Sequence, residues 1–396
     1  MDKLKYNCIF GGGAVRGLCY VGALRALKEL NVEIGSLAGS SVGAVFASLL
    51  ACGYNAEEIE NMFIDFNFNV FRDINFGFTP DLSLSKGEVF LNWLRDNFSA
   101  KVFGHKDRNN PVCFKDLKND LYILTTNLTN HTPFVFSKKS TPDVEVAFAV
   151  RASAGMPGLM KPVKYNNSVL VDGDLSKSWA VWKTDKNLVY GDERVLEFRL
   201  EGSSDENIKN PIDYLSTVYN SFSYLCTSNI IEKYGNKDKF DYIVFDTKDI
   251  LMIDFSISAD ERFKLINQGY NDTINYFKTV LVNKKQMLLP LYRFLKSKVV
   301  ELKVCVFSNN HSASLNKINE ILASSFDMFE YIDTIYNSKL VDLREIIKNS
   351  KQSGLFSNNK LSDKHRILSL IESYEKDLDI KISELNDYLN FYKNNH

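Results

Sequence analysis

Gly39-Ser40-Ser41-Val42-Gly43 is the stretch of this chain whose residue types and spacing best suit covalent chemistry. In a G-x-S-x-G pentapeptide between a strand and a helix, a sharp turn pushes the central hydroxyl out over the sheet edge. The glycines on either side avoid steric clash, and the helix N-terminus favours developing negative charge. Ser41 is therefore the candidate nucleophile. Acyl transfer also needs donors aimed at an oxyanion, and Gly11-Gly12-Gly13-Ala14 supplies backbone N–H groups just ahead of a helix. A glycine turn there could equally cradle a phosphate. The dinucleotide pattern G-x-G-x-x-G is not met, because Gly17 falls at the wrong step, and no G-x-x-x-x-G-K-S/T occurs. The five histidines, His105, His131, His311, His365 and His396, all lie in polar or loop-like stretches poorly suited to a general base. The conspicuous acid is Asp172, which follows Val169-Leu170-Val171 and precedes Gly173. A carboxylate at a strand end beside glycine allows close backbone approach, and a Ser-Asp dyad would dispense with histidine. The same dipeptide is also a common turn.

The elements that must position these groups alternate. Tyr6 to Phe10 reads as a strand, the glycines as a turn, and Leu18, Val21, Leu24, Leu27 and Leu30 as one helical face. Ile34 to Ala38, the Gly39–Gly43 turn and Ala44 to Cys52 repeat that order, with Gly53 as the stop. Further strands are expected at Leu121 to Thr126, Pro133 to Phe136, Ser168 to Val171, Arg194 to Leu200 and Tyr242 to Phe245. Helices are expected at Ala56 to Phe66, Ser85 to Phe98, Val144 to Ala152, Ile212 to Tyr234 and Ala259 to Val282. Strands alternating with helices predict an α/β fold with a mostly parallel sheet between helical layers. From Asn283 onward glycine almost vanishes and helical periodicity persists, so a domain at 1–282 and a helical region at 283–396 are expected.

Composition narrows the class. Lys and Arg number 48 against 49 Asp and Glu, so the electrostatic footprint of a dedicated nucleic-acid binder is missing. Six scattered cysteines without CxxC pairs read as buried thiols. No signal-peptide pattern opens the chain and no apolar run is long enough to span a bilayer, which predicts a cytoplasmic protein.

Taken in order, three blocks resemble the patatin-like phospholipase family: GGGAVRG with its continuation LCYVGALRALKEL, then GSSVG, then VDGD. RASAGMPGLMKPV resembles the family's Arg-Ala-Ser segment, and FSISADERFKLINQGY resembles the end of many bacterial members' domains, so the likeness covers about residues 5 to 280. The resemblance implies a three-layer α/β/α fold, a Ser-Asp dyad and no metal or other cofactor. Carried onto this chain, Ser41 is the nucleophile, Asp172 the general base, and Gly12, Gly13 and Ala14 the oxyanion-hole region. Registering on Arg16-Gly17 puts Ala14 where the family usually has its third glycine; an alanine still offers an N–H, and only a positive-φ requirement would exclude it.

The implied activity is phospholipase A-type cleavage of glycerophospholipid acyl esters. Triacylglycerol lipase or thioesterase activity on the same dyad, and a non-catalytic binding module, are the alternatives. Arg16 either pairs with a lipid phosphate or forms a surface ion pair. A phospholipid substrate implies peripheral contact with a membrane surface. Two regions could supply it: the Phe-rich stretch Asn67 to Pro80, whose rings either dip into the interface or fill the core, and Lys284 to Lys303, whose basic and apolar residues suit an interfacial helix or an ordinary surface helix. By analogy with some members, the C-terminal helices suggest a homodimer or an activating protein.

Overall fold

The computed structural model describes residues 4–64, 85–176, 194–202, 217–225, 238–247, 256–324, 331–351 and 360–395, with the single positions 66, 68, 83, 208, 214 and 250. The Asn67–Pro80 stretch, Phe68 apart, lies outside the described residues, as do most of the expected helix 212–234 and residues 352–359. The chain divides into two units, one of 2–235 and 240–276, the other of 236–239 and 277–396.

Among the described residues the larger unit is built on an eight-stranded sheet. Its strands are β1 (Lys5–Phe10), β2 (Glu33–Gly39), β3 (Leu121–Asn127), β4 (Thr132–Ser137), β5 (Val163–Tyr165), β6 (Ser168–Asp172), β7 (Arg194–Glu201) and β8 (Phe240–Asp246). Among the described residues its helices are α1 (Leu18–Glu29), α2 (Val42–Cys52), α3 (Ala56–Phe63), α4 (Glu88–Phe103), α5 (Val146–Ser153) and α6 (Ala259–Asn275), and residues 217–225 are also helical. The strand path is β5-β6-β3-β2-β1-β7-β8, with β4 also paired to β3. The run β3-β2-β1-β7-β8 is parallel, whereas β4 and β6 pair with β3, and β5 with β6, antiparallel.

β3 has three partners but only two edges. β4 pairs with Tyr122 through Asn127 and so occupies one edge along almost the whole strand. β2 and β6 must therefore share the other: β2 pairs with residues 121–123 and ends at Gly39 opposite Ile123, while β6 pairs with 125–127 and ends at Asp172 opposite Thr125. The alternation of β1 explains its central position, because Ile9 joins Ala38, Leu124 and Val195 in one cluster while Phe10 stacks on Phe198 and meets Tyr20 edge-on. The order also reverses at β1, since the chain leaves it for β2 on one side and returns as β7 on the other; such a switch point opens a crevice at the strands' carboxyl ends. The short β5 was not expected from the sequence, and the antiparallel edge was not distinguished from the parallel core.

The smaller unit contains α7 (Leu281–Phe307), α8 (His311–Ser324), α9 (Thr334–Asn349) and α10 (Lys364–Asn395). Within the basic 284–303 stretch, Leu288, Tyr292, Leu295, Val299 and Leu302 are buried in this unit's own core with Ile318, Leu340, Ile371 and Leu378. Lys296 pairs with Asp379 and Lys303 with Glu375. That apolar stripe is thus that of an ordinary packed helix. Cys8, Cys19 and Cys52 are buried, but Cys113 and Cys305 are only half-buried, which corrects the expectation that every thiol is internal.

Candidate active site

β2 ends at Gly39, and α2 begins at Val42, leaving two residues to reverse the chain. Ser41 absorbs the strain, with φ of 51° and ψ of −125°, a conformation that L-residues seldom hold without support from their surroundings. Gly43 makes the turn possible: a Cβ there would collide with the backbone carbonyl of Phe10. The Ser41 N–H donates to Ser153 Oγ at 3.0 Å, and Ser153 Oγ donates to the Leu124 carbonyl at 2.5 Å. Ser153, at the end of α5, therefore ties the turn to the one β3 residue lying between the ends of β2 and β6.

Asp172 enters from the opposite direction. It is 1% exposed; its N–H donates to the Gly155 carbonyl at 3.0 Å, and its carbonyl accepts from Thr126 Oγ1 at 2.7 Å. Its carboxylate is loaded unequally. Oδ1 accepts from the Asp174 N–H at 3.0 Å and from the Tyr219 hydroxyl at 2.9 Å, whereas Oδ2 is buried and has no hydrogen-bond partner among the described residues. The Ser41 hydroxyl acts as a hydrogen-bonding group on both Asp172 and Tyr219. Desolvation by burial raises the Asp172 carboxyl to about 7, with the Asp174 charge pushing the same way. The Asp174 N–H and the Ser41 and Tyr219 hydroxyls restrain that rise by stabilising the ionised form.

The glycine turn after β1 completes the cluster. Gly12 N–H donates to Asp174 Oδ1 at 3.1 Å, and the same oxygen accepts from the Ser40 hydroxyl. Among the described residues no acceptor meets the N–H of Gly13 or Ala14. Ala14 has a φ of 47°, so the positive-φ requirement exists at this position and alanine meets it. The expected surface ion pair at Arg16 is corrected. Arg16 is 2% exposed rather than at the surface, its Nε donates to the Ile250 carbonyl at 2.8 Å, and burial lowers its guanidinium to about 10.

The structure thus brings Ser41, Asp172 and the glycine turn together and adds Ser153, Asp174 and Tyr219. Ser153 and Asp174 lay inside the quoted RASAG and VDGD blocks, without a role assigned to them. Tyr219 carried no local signal. No histidine is among the described hydrogen-bond partners of Ser41 or Asp172.

The family described as patatin-like phospholipase matches residues 8–178. The uncharacterized protein YqhO of Bacillus subtilis (strain 168) is 25% identical over 297 residues, covering 68% of this chain and 97% of that protein. The probable lipid hydrolase 463L of Invertebrate iridescent virus 6 is 26% identical, covering 45% of this chain and 63% of that protein. Lysophospholipase NTE1 of Meyerozyma guilliermondii is also 26% identical, but the match covers 53% of this chain and only 13% of that much longer protein.

Proposed function

We propose that this chain, whose residues 8–178 match the patatin-like phospholipase family, is a lipid acyl hydrolase of the phospholipase A type, working through a Ser41–Asp172 dyad. The observation that carries the reading is the strained Ser41 beside a buried carboxylate whose Oδ2 has no described partner, next to the Gly13 and Ala14 amides, which no acceptor meets among the described residues. The lipid hydrolase and lysophospholipase among its relatives support the substrate class.

In the proposed cycle Ser41 Oγ attacks the ester carbonyl of a glycerophospholipid while its proton passes to Asp172 Oδ2. The carbonyl oxygen becomes an alkoxide, and the N–H groups of Gly13 and Ala14 stabilise it. Collapse breaks the ester C–O bond; the lysolipid oxygen leaves with the proton held by Asp172, and the acyl group stays on Ser41. Water then attacks the acyl-enzyme, gives a proton to Asp172, and releases the fatty acid as Ser41 recovers its proton. A carboxyl raised toward neutrality suits both tasks, since it ionises near working pH and remains basic enough to accept a proton. Phospholipid substrates would bring the chain to a membrane surface as a peripheral protein; no described helix is long and apolar enough to cross one.

Mass spectrometry of products from mixed phospholipid vesicles tests the reading. Wild type should release fatty acid and lysolipid, and Ser41→Ala and Asp172→Asn should each lower turnover by about 1,000-fold or more. Equal turnover in all three would remove the dyad. Hydrolysis of triacylglycerol or thioester alone would keep the dyad and change the substrate.

A further inference from the structure

A carboxylate has two equivalent oxygens, and rotation about Cβ–Cγ exchanges them. A general base at a fixed serine works best when one oxygen is reserved for the proton and the other is held. The two donors assigned to a particular oxygen, the Asp174 N–H and the Tyr219 hydroxyl, both fall on Oδ1, and among the described residues none is assigned to Oδ2; the Ser41 hydroxyl is a further hydrogen-bonding group acting on the carboxylate. The Asp174 N–H is a local donor two residues away, as in many strand-end aspartates. The Tyr219 hydroxyl comes from 47 residues further along the chain. Its ring is 5% exposed and packs on Met156, with Ala14, Leu159 and Leu175 against it, so packing fixes where the hydroxyl points.

We propose that Tyr219 is a positioning residue for proton transfer within the dyad: its hydroxyl holds Asp172 Oδ1, so that Oδ2 is the oxygen presented to Ser41. The proposal rests on the dyad reading above and adds a residue to it.

A donor on Oδ1 also favours the ionised carboxylate. The titratable groups acting on Asp172 are Asp174, whose charge opposes ionisation, and Tyr219, whose hydrogen bond assists it; the Ser41 hydroxyl and the Asp174 N–H assist as well. Removing the Tyr219 hydroxyl should therefore move Asp172 further upward, by about one pH unit for a single hydrogen bond to a charged group.

The test is the rate at which a fluorophosphonate probe labels Ser41 from about pH 5 to pH 9, a readout of nucleophile activation that needs no lipid. Wild type, Tyr219→Phe, Tyr219→Leu, Ser41→Ala and Asp172→Asn are compared, each with a thermal melt. Tyr219→Phe keeps the ring and its packing. It should melt near wild type, shift the acid limb of the labelling profile up by about one unit, and label about tenfold more slowly below that limb. A Tyr219→Phe profile superimposed on wild type, with only Tyr219→Leu losing thermal stability, would show a packing role and overturn the proposal. Wild-type labelling of Asp172→Asn would overturn the dyad and this proposal together, and differs from the preceding outcome because Asp172 itself would then be dispensable.

Discussion

Gly39 and Asp172 close two strands that approach each other end to end along one edge of β3: Gly39 is registered with Ile123 and Asp172 with Thr125. Leu124 alone separates the two registers, and its carbonyl is taken by Ser153 Oγ, which also accepts the Ser41 N–H. A parallel strand delivers the serine, and an antiparallel strand delivers the carboxylate from the other end. The meeting point is set by sheet register rather than by flexible loops.

Ser153 therefore joins the elbow to the sheet. Ser153→Ala leaves the Leu124 carbonyl and the Ser41 N–H without that partner, and an unmet buried group costs about 1–3 kcal/mol. We expect calorimetry to show a lower Tm and the fluorophosphonate probe to label Ser41 more slowly. An unchanged melt would show that these groups find other partners.

The ionised Asp172 carboxylate should cost stability. Its folded pKa is raised, so the folded chain holds the proton to higher pH than the unfolded chain does. The stabilising effect of the bound proton is fully present below the ordinary Asp value and is lost as pH rises through about 7. Asp172→Asn should accordingly raise Tm, with a larger gain near pH 8 than near pH 5 by about 1 kcal/mol or more. A gain independent of pH would show that Asp172 is not raised.

Asp174 should act on the dyad with the opposite sign to Tyr219. Asp174→Asn keeps an oxygen for Gly12 N–H and Ser40 but removes the neighbouring negative charge, so Asp172 should fall and the acid limb of kcat/KM should move to lower pH. Asp174→Ala loses both hydrogen bonds and should melt lower, by about 1–3 kcal/mol. Matching pH–rate profiles for wild type and Asp174→Asn would contradict this electrostatic role.

In the helical unit, fully buried Asp238 accepts from Lys381 at 2.5 Å and from the Tyr292 hydroxyl at 3.0 Å. Lys381→Met removes the cation from a buried carboxylate and should cost about 3 kcal/mol in urea unfolding. Adding Asp238→Asn should recover most of that loss. A double variant no more stable than the single would show that charge pairing is not the cause.

The sequence by itself determined the local pieces of this protein. The glycine-bracketed turn at 39–43 can be read from composition and spacing because its sharp geometry depends on residues at the turn, and Asp172 at a strand end follows from the apolar run before it. Apart from the three-residue β5, the described strands are legible for the same reason, as are the helices the sequence predicts within the described residues, since alternation and helical periodicity are properties of neighbouring residues. What only the tertiary structure decided is convergence. The shared edge of β3, the antiparallel course of β6, the burial of Arg16, and the meeting of Ser153, Asp174 and Tyr219 around Ser41 and Asp172 all depend on pairing between distant segments. A residue such as Tyr219 has its partner selected by three-dimensional packing, and no spacing along the chain records that choice.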